Sequence, residues 1–306
     1  METNEYKCFY IPKSKGYRKI VTYCSHDSAL YQMHLDAVKS LNQHLKQSVF
    51  TKAYVKNRSI ITNAKAHLYN DIFICLDVQD FFQSLNHNRL ITTLYHEINR
   101  HSKKHFTLNQ CESLVKSCSL SDRGIAVGLI PSPSLANIYL KEFDVKLYAW
   151  LAKQELDHVI YTRYADDITI SFRSPNKSVD EITAPLIAHV ARALRTYGLK
   201  LNHKKTRVIN LNISNHIRIT GINLIKDENN YRKLSVGRKR KDKLFGDALD
   251  AIKQPKDDKF IEKIKGMQSF VLSVEGPAYE NVYSENMRAE VRKAGFQSLK
   301  ELIDSL

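Results

Sequence analysis

Tyr164-Ala165-Asp166-Asp167 sets two carboxylates in a tight reversal between two apolar stretches. Residues 159–164 and 168–172 are rich in β-branched and aromatic side chains. Ile168, Ile170 and Phe172 alternate with Thr169 and Ser171, the period of a half-buried strand. Asp166 and Asp167 therefore fall at a hairpin tip. The tip lacks the Gly that a two-residue reversal prefers, so the turn is strained or is held by something its side chains bind, such as a divalent cation. Upstream, Ile72-Phe73-Ile74-Cys75-Leu76 reads as a strand that also ends on a carboxylate, Asp77. The order strand with Asp, helix, hairpin with Asp-Asp, helix, strand is a split βαβ layout of the ferredoxin type. In that layout the first strand lies beside the hairpin in one antiparallel sheet, and the three carboxylates converge. This is the outline of a two-metal nucleotidyl-transfer site.

The chain has 306 residues, 43% of them hydrophobic, enough for one large core or two to three small subdomains and too apolar for a disordered chain. Its net charge of +15 and pI near 9.4 call for a polyanionic partner, nucleic acid before an anionic membrane surface. No apolar stretch is long enough to span a bilayer, and Met1-Glu2-Thr3-Asn4-Glu5 lacks the basic-then-apolar layout of a signal peptide. The expectation is a cytoplasmic protein without membrane attachment. Five cysteines without a CxxC pair support neither a zinc site nor a disulfide framework, and the histidines, His158 among them, are scattered.

Residues 7–23 read as a basic β-hairpin turning at Lys13-Ser14-Lys15-Gly16, and residues 28–45 as a helix. A helical pattern returns over 87–118, followed by a polar loop at 119–124. Gly128-Leu129-Ile130-Pro131-Ser132-Pro133-Ser134 then forms a rigid approach to a helix expected over 135–151. Residues 180–197 predict an amphipathic helix with Pro185 in its first turn and Gly198 as its stop. Residues 199–211 and 217–225 each predict a strand. Beyond residue 234 the composition turns to Arg238-Lys239-Arg240-Lys241 and two or three helices, expected as a separate basic subdomain.

Three carboxylates close together repel, so without a cation at least one would be protonated near neutral pH. Two Mg²⁺ ions remove the conflict, activate an attacking 3′-hydroxyl and stabilise a pyrophosphate leaving group. Asp77 and Asp166 are expected as bridging ligands, Asp167 as an auxiliary carboxylate and the Val78 carbonyl as a further ligand. Phe82, five residues past Asp77, can sit under the sugar of an incoming nucleotide and exclude a 2′-hydroxyl; one of Phe81 and Phe82 must instead be core. Arg18 and Lys19 are candidates to clamp triphosphate oxygens. Lys205 is the candidate proton donor to the leaving group, although the sequence alone does not separate it from Lys204. Each motif has a bland counterpart: a polar hairpin tip, a strand-end Asp, a solvated Lys.

Taken together, these residues resemble the bacterial reverse transcriptases, and most of all the retron class. Asp77 with Phe82, the Tyr164-Ala165-Asp166-Asp167 block and Leu199-Lys200-Leu201-Asn202-His203-Lys204-Lys205-Thr206 match three blocks of reverse transcriptases generally. Asn63-Ala64-Lys65-Ala66-His67 and Ile219-Thr220-Gly221 are similar to retron signatures, and residues 264–274 resemble the retron thumb. The resemblance implies an α+β right-hand polymerase fold with fingers (1–70 and 88–122), a ferredoxin-like palm (71–87 and 123–225) and a helical thumb (226–306). It implies RNA-directed DNA synthesis from dNTPs, with a structured noncoding RNA as template and primer, an RNA–DNA hybrid as product, a role in anti-phage defence and an effector protein. It also makes Asn63, His67, Gly221, Arg238, Lys239, Arg240 and Lys241 candidate RNA contacts, and Gly128 a nucleotide-loop residue. Two departures stand out. Val127 replaces the family's usual Gln before Gly128, and the chain opens almost at the fingers hairpin, without the helical segment common in retron enzymes. Both suit a divergent defence-associated reverse transcriptase with template-independent or protein-primed synthesis; loss of the amide also suits a catalytically weak RNA-binding scaffold.

Overall fold

A computed structural model describes residues 5–12, 16–100, 104–174, 178–254 and 257–306; the turn expected at Lys13, Ser14 and Lys15, and the leader-type reading of residues 1–4, lie outside them. The chain divides into two compact units, Met1–Ser59 with Asn70–Ile209, and Ile60–Tyr69 with Asn210–Leu306. Residues 60–69, expected with the fingers, and 210–225, expected with the palm, thus fall in the second unit.

The first unit begins with β1 (Tyr6–Pro12) and β2 (Tyr17–Tyr23), antiparallel from Tyr6 opposite Tyr23 to Pro12 opposite Tyr17. Among the described residues of this hairpin only the root is buried, at Val21 and Tyr23. Helix α1 (Ala29–His44) starts where the Ser28 hydroxyl accepts the Tyr31 N–H. Helix α2 (Ile60–Ala66) belongs to the second unit. Then come β3 (Ile72–Asp77), the single turn α3 (Phe81–Ser84), α4 (His87–Ile98) and α5 (Leu108–Ser117), the last opened by a Thr107/Gln110 capping box.

The helix expected over 135–151 is two. Helix α6 (Ser132–Tyr139) begins three residues early, because Pro133 sits in its first turn, where a missing N–H costs nothing. The backbone then leaves helical values at Leu140 (φ −100°, ψ 8°) before α7 (Lys141–Leu151). Strands β4 (Ile160–Tyr164) and β5 (Asp167–Phe172) form the acidic hairpin. Helix α8 (Val179–Thr196) starts early enough that Pro185 is its seventh residue, one turn deeper than the sequence suggests. Residues 199–211 are not one strand: a 3-10 turn over His203–Lys205 interrupts them, leaving a single antiparallel bridge from Leu201 to Val78 and then β6 (Arg207–Asn210).

The sheet order is β4-β5-β3-β6, the ferredoxin-like order expected from the chain, with β5 antiparallel to both of its neighbours. Register assigns the faces. Ile72, Ile74 and Leu76 with Ile168, Ile170 and Phe172 turn into the apolar core beneath, which they share with Leu90, Leu94, Leu135, Phe143, Val190 and Leu194 from the helices. The alternate residues Cys75, Asp77, Asp167 and Thr169 share the other face.

In the second unit the strand expected over 217–225 is a hairpin. β7 (His216–Ile219) and β8 (Ile222–Lys226) are joined by Thr220 and Gly221, both at positive φ (45° and 90°), and β9 (Arg232–Ser235) completes a three-stranded sheet. Among its described residues the tail holds four α-helices rather than two or three: α9 (Arg238–Lys253), α10 (Asp258–Glu275), α11 (Glu285–Lys293) and α12 (Leu299–Ser305). They close over Leu244, Ala248, Ile264, Val271, Leu302 and Ile303.

Helix α8 ends as the sequence predicts. Gly198, at φ 71°, donates to the Arg195 carbonyl (2.9 Å), and Leu199 donates to that of Leu194 (3.1 Å), the paired bonds of a Schellman motif. Gly198→Ala is expected to cost about 1 kcal/mol, read as a lowered midpoint in chemical denaturation with an unchanged slope.

Candidate active site

Asp77 closes β3 directly opposite Asp167, the first residue of β5, which in turn pairs with Tyr164 across the hairpin. Asp167 is therefore a strand residue, and only Ala165 and Asp166 form the turn. Opposed like charges on an antiparallel ladder destabilise it. The missing Gly has its consequence at Ala165, held at φ 56°, a left-handed backbone that costs a non-glycine residue about 1–2 kcal/mol. What holds the turn is directed at its backbone: the Val78 N–H donates to the Asp166 carbonyl (3.0 Å) and Arg163 Nη1 to the Ala165 carbonyl (3.2 Å).

The carboxylate charge is countered from the 3-10 turn and the residue just before it. Lys205 Nζ lies 2.8 Å from Asp77 Oδ2, and Asn202 Nδ2 donates to Asp77 Oδ1 at 3.0 Å. Asp77 keeps little exposure (7%), while the Lys205 side chain is largely open. That geometry separates Lys205 from Lys204, which the sequence did not. Bonding to Asp77 raises the Lys205 ammonium above its ordinary value. Asp167, open to solvent along one edge, is pushed up to about 6, by desolvation first and then by Asp166 and Asp77. Asp166 is raised as well, chiefly by burial and then by Asp77, while Lys205 and Arg18 act the other way. Lys204, Lys205 and Arg207 line, with Cys75, Asp77 and Asp167, a cavity of about 350 Å³.

An oxygen-only donor set in which Asp166 and Asp167 are both raised by neighbouring carboxylates suits a hard divalent cation. Among the described residues no three His, Cys, Asp or Glu side chains stand ready as a ligand cluster; Asp77 is instead turned to Lys205 and Asn202. The donors fit a metal, and Asp77 would exchange its ammonium partner to take part. The Val78 carbonyl belongs to the same junction, where the Gln79 N–H donates to Lys200 O (2.9 Å) and the Asn202 N–H to Asp77 O (2.8 Å).

Phe81 is buried at 2% exposure, while Phe82 is half-buried, edge-on to it, at the chain's exit from the strand. Arg18 and Lys19 are neighbours on β2 and so face opposite sides. Arg18 contributes to the field at Asp166; Lys19 lines a separate cavity with Arg123, Ser121 and Val127. A shared clamp by both is not what the strand offers. Gly128, at φ 114°, lies so close to β2 that an added Cβ would come within 2.2 Å of the Val21 carbonyl, and Val21 N–H donates to Val127 O (2.8 Å). The loop meets β2 through backbone, so Val127 serves there without a side-chain amide.

The candidate RNA contacts lie in the second unit, and several are turned inward. Asn63 and His67 are buried at 1% and 0% exposure, and Asn63 Nδ2 donates to Thr220 Oγ1 (3.2 Å). Gly221 presents its carbonyl to Arg240 Nη1 (2.9 Å). Lys241 is buried in an ion pair with Glu275 (2.8 Å), and Arg238 pairs with Asp242 (2.6 Å). Lys239 is exposed. Sequence reasoning missed Asn202, Arg207, Tyr54 and Arg163. Tyr54, at φ 57° and half exposed, sits with its ring 6.5 Å from that of Tyr164, in the field of Asp166 and Arg18. Asn202 lies within the lysine block and Arg207 directly follows it, so both were findable there; nothing in the sequence marks one tyrosine among 16.

The sequence profile of the family "Reverse transcriptase (RNA-dependent DNA polymerase)" matches residues 11–236. The chain belongs to that family, and its activity is RNA-directed DNA synthesis. Within the family its similarity is to the retron type. It is 24% identical to the retron Ec86 reverse transcriptase of Escherichia coli over 90% of this chain and 79% of that protein. Identity to the E. coli retron Ec83 enzyme is 26%, over 94% and 90%. Telomerases share the fold, which is the right-hand polymerase fold. One from Candida tropicalis in complex with a fragment of telomeric RNA superposes with TM-score 0.52 at 14% identity, covering 88% of this chain and 53% of that one; a truncated apo form gives 0.50 at 16%, covering 72% and 53%. The chain thus spans about half the length of those telomerases. The family's chemistry uses divalent metal ions. No helix among the described residues is long and apolar enough to cross a membrane.

Because Asp167 titrates higher in the folded chain than the ordinary carboxylate value of 3.8, its contribution to the stability of the metal-free protein is complete below about pH 4 and fades as pH rises through about 6. Asp167→Asn should therefore gain in melting temperature over the parent across pH 4–6 and hold that gain above it. Added Mg²⁺ should raise the parent's melting temperature above pH 6, with the increment shrinking below; thermal melts in chelator and in Mg²⁺ across pH 4–8 read both.

Proposed function

We propose that the chain copies part of a structured noncoding RNA, which serves as both template and primer, into DNA, leaving an RNA–DNA hybrid. The observation that carries this reading is the in-register opposition of Asp77 and Asp167 beside Asp166, with Lys205 bonded to Asp77 on the same open face. Asp77 and Asp166, with Asp167 and the Val78 carbonyl as auxiliaries, would hold two Mg²⁺ ions, which lower the pKa of the priming 3′-hydroxyl and neutralise the leaving pyrophosphate. Lys205, once released from Asp77, carries a proton within reach of that leaving group. Arg18 adds positive charge on the triphosphate side, and Phe82 excludes a 2′-hydroxyl at the sugar. Gly128 lets the loop backbone approach β2 without a side chain between them.

The fingers, palm and thumb follow residues 1–70 with 88–122, 71–87 with 123–225, and 226–306. The compact division argues for moving both 60–69 and 210–225 to the thumb side. The tail, with Lys239 exposed and Arg238, Arg240 and Lys241 bracing it, grips the RNA through phosphates. Asn63, His67 and Gly221 act by shaping that unit. The similarity to retron enzymes supports a cytoplasmic role in anti-phage defence with an effector protein.

Purified protein with its copurifying RNA should incorporate dNTPs, and Asp166→Asn should lower incorporation at least a thousandfold with a melting temperature no lower than the parent's; a fully active variant removes Asp166 from the chemistry. Phe82→Ala should increase ribonucleotide incorporation relative to deoxyribonucleotide, read by competition in one reaction. RNA affinity should drop about a thousandfold between 50 and 200 mM salt if about six phosphates are contacted; a flat salt profile would argue for recognition without phosphate contacts.

A further inference from the structure

Arg163 lies on β4 next to the acidic turn, opposite Ile168, and therefore on the core face of the sheet, behind the carboxylates. It is fully buried (0%), as is its partner Asp144 on α7. Nε meets Asp144 Oδ1 and Nη2 meets Oδ2, each at 2.8 Å, a two-pronged pair; Tyr161 Oη donates to the same carboxylate (2.7 Å). The remaining donors go to Asn137 and the turn: Nη2 to Asn137 O and Nη1 to Ala165 O, both at 3.2 Å, with Nη1 also 3.5 Å from Asn137 Oδ1. Arg163's own backbone is engaged on both sides, its N–H donating to Phe50 O (3.0 Å) and its carbonyl accepting from Lys52 N (2.7 Å). Asn137 ties the same segment through Thr51 Oγ1 (3.1 Å) and Ala53 O (2.9 Å), one residue short of Tyr54.

A buried ion pair is a poor stabiliser, because desolvating both charges offsets their attraction, and apolar side chains of like volume often serve the fold as well. A lysine would supply the charge but not the fork. What the guanidinium does that no apolar side chain can is reach the carbonyl of Ala165, the strained residue of the turn.

We propose that Arg163, oriented by Asp144 and Tyr161, is a positioning residue for DNA synthesis: from beneath the sheet it fixes the Ala165–Asp166 turn and, through residues 50–53, the approach of Tyr54 to it. This rests on the reading of Asp166 as a catalytic carboxylate. Displacement of a reacting group by about an ångström can cost about a hundredfold in rate. The loss should therefore fall on kcat, with little change in KM for dNTP.

The test is the double substitution Arg163→Met/Asp144→Leu, assayed beside Tyr161→Phe, which keeps both charges and the ring. The double variant is expected to keep its melting temperature within a few degrees, lose about 10- to 100-fold in kcat, hold KM for dNTP within about twofold, and need more Mg²⁺ for half-maximal rate. Tyr161→Phe should move kcat and the Mg²⁺ requirement in the same direction by about threefold or more. Parent-level kcat and Mg²⁺ requirement in a folded double variant overturn the proposal. Should the double variant not fold, the same result in Tyr161→Phe overturns it. Asp166→Asn run alongside separates the two readings: activity there sinks the parent assignment, whereas an inactive Asp166→Asn beside a fully active Met/Leu variant sinks only this one.

Discussion

Two carboxylates stand face to face on one antiparallel ladder, and a third adjoins them in a turn with a backbone its residue disfavours. Left to itself this arrangement repels and strains. The surrounding fold accommodates it: β3 and β5 are sealed into an apolar layer below, Val78 and Arg163 hold the turn by its carbonyls, and Lys205 and Asn202 occupy Asp77. The ferredoxin-like order is the connectivity that makes this possible. It brings a strand from early in the chain beside a hairpin some ninety positions later, and sets β6, with Arg207, along the open flank of the first.

The three aspartates were legible because Asp77 ends and Asp167 begins a strongly patterned strand, with Asp166 in the turn beside the latter, so that carboxylates interrupt apolar runs. The sheet order followed from the order of elements alone. The failures share a cause. Thr220-Gly221 reads as part of a strand because isoleucines flank it on both sides, yet Ile219 and Ile222 are three apart and out of phase for one strand, so the slip in alternation and the Gly both mark the reversal. The break at Leu140 has no local signal, since Leu favours helix and the residue is fully buried. Nothing in the sequence singles out Arg163 or Asp144, one charge on a strand and one on a helix. Their meeting in the core depends on register and helix packing, which no local pattern encodes.

Charge was the feature most easily overread. The run Arg238-Lys239-Arg240-Lys241 suggests a solvated cationic face, yet helical geometry spreads it round α9, so that Lys241 turns into the core to meet Glu275 and Arg240 reaches the β7–β8 turn. Glu275 Oε1 also accepts the Ser235 hydroxyl (2.9 Å) and the Val236 N–H (2.8 Å), so one carboxylate joins β9, α9 and α10. Net charge correctly pointed to nucleic acid; it did not say which cations meet it.

Tyr23, at the root of the first hairpin, shares its hydroxyl between His34 Nδ1 (2.7 Å) and the Ile130 N–H (3.0 Å), while His34 Nε2 meets Ser117 (2.8 Å). Burial pushes His34 down to about 4, so this joint stays uncharged at neutral pH. The hairpin is thus clamped from Tyr23 to Val21 and, among its described residues, little covered beyond, a cantilever. Arg18 stands three residues out from Val21, about 10 Å of strand, so a tilt of about 10° at the clamp would swing its backbone by about 2 Å. A shift too small to disturb the packed root is then large enough to bring an arginine onto a phosphate or lift it away.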